Sequence, residues 1–199
     1  MSHILVLYYS RHGATQKMAE QIALGVENHE QMEAKIRTVP SIHTLQAESN
    51  TKRAAHPFVQ AQDLIDASGL ILGSPTRFGN MSANLQFFLE STLDIWLSGQ
   101  LIGKPAGVFT SSDSMHGGQE STLLSMILPL MHHGMLISGL PYNQVSLHQT
   151  QSGGTPYGAS HVSGQNQNNL TQDERNLCLA LGKNIADIAH KLFSSTSQQ

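Results

Sequence analysis

Three short polar loops in the sequence each follow an apolar run and carry side chains suited to binding a small ligand. The first, residues 10–15, has hydroxyl groups at Ser10 and Thr15, a glycine at Gly13, and a helical pattern directly after it. Free backbone N–H groups and the helix dipole attract anions, typically phosphates, to such a helix N-terminus. Because the loop contains no lysine, a monophosphate held by hydroxyls and backbone fits better than a triphosphate. On spacing alone, an ordinary strand-to-helix turn explains this loop equally well.

The second and third loops add groups suited to a flat ring. Residues 76–80, Thr-Arg-Phe-Gly-Asn, offer hydrogen-bond donors, acceptors and an aromatic side chain for the edge of a heterocycle. Residues 111–119 are rich in serine and glycine, so their backbone can lie against a ring and donate N–H groups. A phosphate and a planar ring, both bound by loops that follow parallel strands, describe a flavin mononucleotide (FMN) site.

Other kinds of site lack their sequence signatures. No G-x-G-x-x-G occurs, and residues 99–105 have the wrong glycine spacing and a proline where a P-loop needs serine or threonine. The eleven histidines are dispersed and form no H-E-x-x-H, which argues against a dedicated metal site. No G-x-S-x-G nucleophile elbow is present, so the sequence does not predict a serine hydrolase.

Apolar runs and helical periodicity alternate along the chain and place the three loops at one edge of a sheet. Strands are predicted at 4–9, 34–39, 70–73, 106–110 and 135–140. Helices are predicted after residue 15, from about residue 82 to Trp96, over 120–133, and after a capping box at 171–174. Five strand–helix units predict an α/β fold, a doubly wound five-stranded parallel sheet that binds ligands at the carboxyl ends of its strands.

Composition places limits on the class of protein and on its surroundings. We interpret residues 1–199 as one domain with an inserted surface loop at 41–56, a long loop at 141–169 and a frayed tail at 194–199. The net charge of −3 and the scattered basic residues argue against nucleic-acid binding. The single cysteine, Cys178, excludes an intrachain disulfide and favours a reducing compartment. With no leader and no apolar stretch near the ~20 residues that span a bilayer, we expect a cytoplasmic protein without membrane insertion.

Several segments resemble a known family. The stretches "VLYYSRHGAT", "GSPTRFGNMS", "FTSSDSMHGGQES", "LMHHGM" and "GGTPYGASHVSG" are similar to the flavodoxin-like NAD(P)H:quinone oxidoreductases, the tryptophan-repressor-binding-protein (WrbA) family. The resemblance covers nearly the whole chain. It implies a flavodoxin-like sheet with strand order 2-1-3-4-5, one FMN per subunit and a homotetramer. It also implies a ping-pong reaction in which NADH or NADPH passes a hydride to FMN, and a quinone then takes two electrons without semiquinone formation.

The resemblance also implies roles for individual residues, matched by position. Trp96 would line the quinone pocket, and His132 would lie near the flavin, where it could hydrogen-bond a quinone oxygen. A buried core position for Trp96 and a structural role for His132 at a helix C-terminus remain the alternatives. His12 stands where the family usually has an aromatic residue that meets the nicotinamide nucleotide. The implied FMN contacts are Ser10, Arg11, His12, Gly13, Ala14, Thr15, Pro75, Thr76, Arg77, Phe78, Gly79, Asn80, Ser111, Ser112, Asp113, Ser114, Met115, His116, Gly117 and His132.

Two rival functions remain open at this point. A flavodoxin-type one-electron carrier would bind the same cofactor without oxidising NAD(P)H. The weak net charge, the long segment at 141–169 and the family-specific loops favour the enzyme. A regulatory interaction protein is suggested only by the family's historical name, and the sequence shows no motif for binding a partner.

Overall fold

The computed structural model describes residues 2–42, 54–164 and 169–194. The predicted loop at 41–56, the long loop at 141–169 and the tail at 194–199 therefore lie partly outside the described residues. No helix within the described ranges is both long and apolar enough to cross a membrane. In chain order the elements are β1 (Ser2–Tyr8), α1 (Ala14–Glu27), β2 (Met32–Thr38), α2 (Ala61–Asp66), β3 (Gly69–Pro75), α3 (Ala83–Glu90), α4 (Leu93–Leu97), β4 (Pro105–Ser112), α5 (Gln119–His132), β5 (Leu136–Ile137), α6 (Val145–Gln149), β6 (Ala159–Val162) and α7 (Gln172–Ser194).

The sheet is parallel, with strand order β2-β1-β3-β4-β5, so the expected 2-1-3-4-5 order is confirmed. All of the described strands run in one direction, which places the ends of β1, β3 and β4 at the same edge. In the β3–β4 register, Pro75 lies opposite Ser111. The three polar loops therefore emerge side by side, as the alternation of strands and helices predicted.

Both faces of the sheet are buried, which explains the unbroken apolar run in β1. Ile4 and Val6 belong to one hydrophobic cluster with residues of α1 and α7. Leu5 and Leu7 belong to a second cluster with residues of α3 and α5. Because successive side chains of a strand point to opposite faces, a strand between two helical layers has no polar face.

Helices α1 and α7 pack closely through two glycines. A Cβ atom on Gly25 of α1 would collide with the carbonyl oxygen of Leu179, and one on Gly182 of α7 would collide with that of Ile22. Only the smallest residue permits this approach of the two backbones. The contact fixes α1, whose N-terminus follows the first loop, against the last helix of the chain.

The fifth strand position differs from the prediction, which placed one strand at 135–140 and a structureless loop at 141–169. Two short strands pair with β4 instead: β5 lies beside its beginning and β6 beside its end. After Ile137 the chain leaves the sheet, and Leu140 N–H donates to the carbonyl of Pro156 at 2.9 Å. The segment between the two strands also contains α6.

The helix predicted from residue 82 to Trp96 is two helices, α3 and α4. The break follows from two hydroxyl groups that bond to backbone carbonyls of the preceding turn. Ser91 Oγ donates to the carbonyl of Phe88 at 2.6 Å, and Thr92 Oγ1 donates to that of Leu89 at 2.7 Å. Such local bonds compete with helix continuation, so the chain begins a new helix at Leu93.

Candidate functional site

A cavity of about 550 Å³ lies at the carboxyl ends of β1, β3 and β4. Its volume falls within the ~300–1,000 Å³ typical of pockets for small molecules and cofactors. All three polar loops contribute to its walls. The residues lining it are Ser10, Arg11, His12, Ala14, Thr15, Pro75, Thr76, Arg77, Ser111, Ser112, Asp113, Ser163 and Gly164.

The first loop presents an uncapped helix N-terminus to this cavity. Gly13, the N-cap of α1, has φ +94°, a left-handed conformation that glycine adopts without strain, and no side chain caps the helix. The Gly13 N–H instead donates to Ser10 Oγ at 3.0 Å. The first turn of α1 contains no acidic residue. The N–H groups of the first turn of α1, together with the hydroxyls of Ser10 and Thr15, form a donor set that suits a phosphate.

The second loop forms a tight hairpin turn beside the cavity. Arg77 and Asn80 exchange two backbone hydrogen bonds, of 2.8 and 3.0 Å. Both central residues have positive φ, 52° at Phe78 and 75° at Gly79. Phe78 is a β-carbon-bearing residue in a conformation that favours glycine, so its backbone is strained. Its ring is fully exposed and does not line the described cavity, whereas Arg77 does.

The third loop is ordered by hydrogen bonds within itself. Ser112 Oγ donates to the carbonyl of Ser114 at 2.7 Å, and Gln119 Nε2 donates to that of Met115 at 2.9 Å. A Cβ atom on Gly118 would lie 2.8 Å from Gly79 Cα, so glycines are needed where the second and third loops meet. The predicted site residues that do not line the described part of the cavity are Gly13, Phe78, Gly79, Asn80, Ser114, Met115, His116, Gly117, His132 and Trp96.

Charged side chains give the cavity a positive character. Arg11 and Arg77 are among the residues that line it, and Asp113 is the one acidic residue among the described lining residues. His12 also lines it. An excess of cationic groups near an uncapped helix N-terminus favours a ligand with a negatively charged group.

Two lining residues, Ser163 and Gly164, were missing from the sequence prediction. They follow β6, which the sequence had assigned to a loop, and the Ser163 N–H donates to the carbonyl of Ser112 at 2.8 Å. This bond extends the β4–β6 ladder to the cavity wall. The signal in the sequence was weak, because a four-residue strand in a Gly- and Ser-rich segment has no measurable period.

Trp96 and His132 lie together in a second cavity, of about 530 Å³, between α3, α4 and α5. Trp96 Nε1 donates to the carbonyl of His132 at 2.8 Å. Trp96 is 46% exposed, so the alternative of a core tryptophan is wrong. Within one chain, the structure brings these two residues together but does not place them in the wall of the first cavity.

His133 is a buried structural residue beside this second cavity. Its Nε2 lies 3.0 Å from Thr92 Oγ1, and the Thr92 hydroxyl donates to the carbonyl of Leu89. Nε2 must therefore carry the proton in that bond. Burial, followed by the proximity of His132, lowers the pKa of His133. The ring is thus held neutral, and it joins the end of α5 to the start of α4.

The sequence is similar to a known protein family and to two named proteins. The sequence model of a family described as NADPH-dependent FMN reductase matches residues 3–150. Proteins named NAD(P)H dehydrogenase (quinone) from Solidesulfovibrio magneticus and Geotalea daltonii are 39% and 41% identical. These alignments cover 96% and 95% of this chain, and 98% and 97% of the relatives.

A solved structure matches the fold over nearly its whole length. The crystal structure of the flavodoxin, WrbA-like protein from Agrobacterium tumefaciens has a TM-score of 0.68 and 25% identity to this chain. The match covers 96% of this chain and 99% of that one. It therefore extends into α7, beyond residue 150, where the match to the family model ends.

Proposed function

Because the chain belongs to the family of NADPH-dependent FMN reductases and NAD(P)H dehydrogenases (quinone), we propose that it reduces quinones with NAD(P)H through bound FMN. The observation that carries this proposal is the convergence of three polar loops on one cavity at the uncapped N-terminus of α1. The amides, hydroxyls and guanidinium groups found there match the needs of a phosphate and a polar heterocycle.

The lining residues divide into a phosphate end and a ring end. Residues 10–15 hold the phosphate with the backbone amides of α1 and the hydroxyls of Ser10 and Thr15. Thr76, Arg77 and residues 111–113 flank the ribityl chain and the ring. The exposed second loop at 78–80 and the third loop at 114–117 form the rim and complete the ring contacts. His12, on the same wall, faces the nicotinamide nucleotide.

FMN, when bound, supplies the two-electron chemistry, since it can accept a hydride and pass it to a quinone. The protein's own residues bind and orient the cofactor and the substrates, and they exclude water from the site. The buried hydroxyls of Thr15 and Ser111 close the floor of the cavity. Trp96 offers a flat, half-exposed surface on which a quinone ring can stack, and its bond to the carbonyl of His132 fixes the indole. His132 contributes a hydrogen bond to a quinone oxygen.

The exposed apolar surface around the second cavity supports the proposal of an oligomer. We propose a homotetramer in which this surface is covered by neighbouring copies, which would bring Trp96 and His132 to the cofactor cavity of another subunit. Large apolar patches on soluble proteins mark such contacts. We name it the α3–α5 apolar face; its exposed side chains are Phe87, Leu93, Leu97, Leu124, Leu128 and Met131.

The remaining features concern organisation and location. We propose that residues 1–199 form a single domain, since one sheet pairs strands from both halves of the chain. The single, buried Cys178 supports a reducing compartment such as the cytoplasm.

A steady-state assay tests the proposal. Purified protein loaded with FMN should oxidise about one equivalent of NADH or NADPH per flavin alone and should turn over repeatedly when benzoquinone is added, with the parallel-line kinetics of a ping-pong reaction. A matched sample without FMN serves as the control. Protein that binds FMN tightly but consumes no NAD(P)H would instead be a one-electron carrier, and the enzyme proposal would be wrong.

A further inference from the structure

The side chain of Glu174, in the first turn of α7, is fully buried and accepts hydrogen bonds from several directions. Its Oε1 accepts from the hydroxyl of Ser152 at 2.7 Å and from the backbone N–H groups of Gly153 and Val162, each at 3.0 Å. One carboxylate oxygen therefore fixes both the loop before β6 and the last residue of β6.

The other oxygen, Oε2, binds the capping box and a buried histidine. It accepts from the Thr171 N–H at 2.8 Å, while the Glu174 N–H donates to Thr171 Oγ1 at 3.2 Å, so the predicted capping box is confirmed. Oε2 also lies 2.8 Å from His161 Nδ1. A capping box requires only the Thr171 pair, so the remaining donors, which all come from residues 152–162, indicate an additional role.

β6 carries these bonds to the wall of the first cavity. In its parallel register with β4, His161 lies opposite Ser111 and Val162 lies opposite Ser112. Both serines line the cavity, as do Ser163 and Gly164 immediately after β6. The position of this wall is therefore set by the residues that Glu174 holds.

His161 is adjacent to the hydroxyl pair on the floor of the cavity. Paired residues on neighbouring strands project to the same face, so the His161 ring lies on the side of the sheet where Ser111 Oγ contacts Thr15 Oγ1. The ring is fully buried, and its Nδ1 contacts Glu174. Nδ1 donates to Glu174, and the other nitrogen, Nε2, has no hydrogen-bond partner among the described residues.

A buried polar atom without a partner costs free energy that an apolar side chain would avoid. Leucine or valine would fill a strand position between two helices at lower cost. What His161 has and these residues lack is its one hydrogen bond, the bond to Glu174.

We propose that His161 and Glu174 form a buried positioning pair for the cofactor, which holds the β6 wall and the Thr15–Ser111 floor in the geometry that binds FMN. The inference rests on the proposed function, because it assumes that FMN occupies the first cavity. Neither residue touches the cofactor. They act through Ser111, Ser163 and Gly164.

Substitution of His161 tests the pair. His161→Leu removes the donor to Glu174 and should raise the dissociation constant for FMN about tenfold, as the loss of one buried hydrogen bond predicts. His161→Asn places an amide N–H near the position of Nδ1 and should restore affinity to within about threefold of the wild type. FMN binding is measured by the quenching of flavin fluorescence, and folding by the melting temperature of the apoprotein. If His161→Leu does not fold, His161→Val, which suits a strand, replaces it.

Asn184 provides a matched control on the same helix. Its side-chain amide donates to Ser138 Oγ and to the carbonyl of Gly139, each at 3.0 Å, and so anchors the other end of the connection between β5 and β6. Asn184→Ala should lower the melting temperature while FMN affinity stays within about twofold of the wild type. In His161→Leu, excess FMN should restore quinone reductase activity, because only affinity has changed.

Three results would overturn the inference. These are an unchanged FMN affinity in the apolar variants, an equal loss of affinity in Asn184→Ala, and no recovery in His161→Asn. The last two would mean that the pair serves only the stability of the fold. If the wild-type protein takes up no FMN, the proposed function itself is wrong and this inference is withdrawn with it. The wild-type titration thus separates the two failures.

Discussion

The hydroxyl oxygens of Thr15 and Ser111 lie 2.9 Å apart, although the two residues are 96 positions apart in the chain. Thr15 belongs to the first turn of α1, and Ser111 lies near the end of β4. Both are buried. The contact joins the first and third polar loops at the floor of the cavity, so each loop depends on the other for its position.

Thr15→Val should weaken FMN binding about tenfold or more. Valine keeps the shape of the side chain, so any loss of FMN affinity would be due to the missing hydroxyl. Hydrogen bonds to charged groups contribute about 1.5–3 kcal/mol. Fluorescence titration of the apoprotein measures the effect. Thr38→Val, which loses a buried 2.9 Å bond to the carbonyl of Tyr8, is the matched control. Equal affinity in the two variants would exclude Thr15 from the phosphate site.

Trp96→Leu should raise the KM for benzoquinone about three- to tenfold and leave the FMN dissociation constant unchanged. Aromatic stacking contributes about 0.5–1.5 kcal/mol beyond burial, and leucine cannot stack. Steady-state kinetics at saturating NADH measure the KM. Trp96→Phe keeps a ring and should stay near the wild type. An unaltered KM in the leucine variant would remove Trp96 from the quinone site.

Leu97→Glu should break the proposed tetramer. Leu97 is 68% exposed on the α3–α5 apolar face, and a carboxylate placed there would be buried without a partner in the assembly. Light scattering should give about four times the 21.6 kDa chain mass for the wild type and a smaller mass for the variant. Leu24→Glu, on α1, changes an exposed leucine outside that face and should leave the mass unaltered. A monomeric wild type would refute the tetramer.

Acid should destabilise the protein through Glu174. Burial opposes ionisation of this carboxyl, but hydrogen bonds from His161, the Thr171 backbone and Ser152 outweigh it and lower the pKa from 4.5 to about 2. The folded form therefore binds its proton less readily than the unfolded chain. The resulting stability is complete above about pH 5 and is lost as the pH falls toward 2, on the order of 3 kcal/mol in all.

Urea denaturation from pH 7 to pH 3 checks this acid dependence. Glu174→Gln removes the titrating group, so the difference in unfolding free energy between the wild type and the variant should shrink as the pH falls. Asp63, whose pKa is also lowered, remains in both proteins and cancels in the comparison. A difference that stays constant with pH would show that folding does not change the pKa of Glu174.

Local patterns were sufficient to predict most of the fold. The apolar run in β1 and the capping box at Thr171 and Glu174 are encoded by adjacent residues, and the structure has both. The break between α3 and α4 also has a local cause, in the hydroxyls of Ser91 and Thr92. It was missed because the apolar spacing continues across the break. β6 was missed for a different reason, since its pairing with β4 is decided by tertiary contacts.

The parts of the candidate site that lie in loops after the predicted strands were predictable from the sequence. The part of the cavity wall that follows β6 was not. Residues 10–15, 75–77 and 111–113 could be found because turn formers follow apolar runs. Ser163 and Gly164 could not, because their position depends on the bonds of Glu174 to the residues before them. The separation of Trp96 and His132 from the cavity depends on how helices pack, which no local pattern records.

Because the cavity depends on α7, it can be completed only late in the synthesis of residues 1–199. A ribosome makes the phosphate loop first, yet α1 packs through its glycine against α7, and the β6 wall is held by Glu174 of the same helix. α7 is therefore needed to complete a site whose phosphate loop, residues 10–15, is synthesised earlier. FMN should be captured only once α7 has been synthesised and has folded, and nascent chains that stop before α7 should bind none.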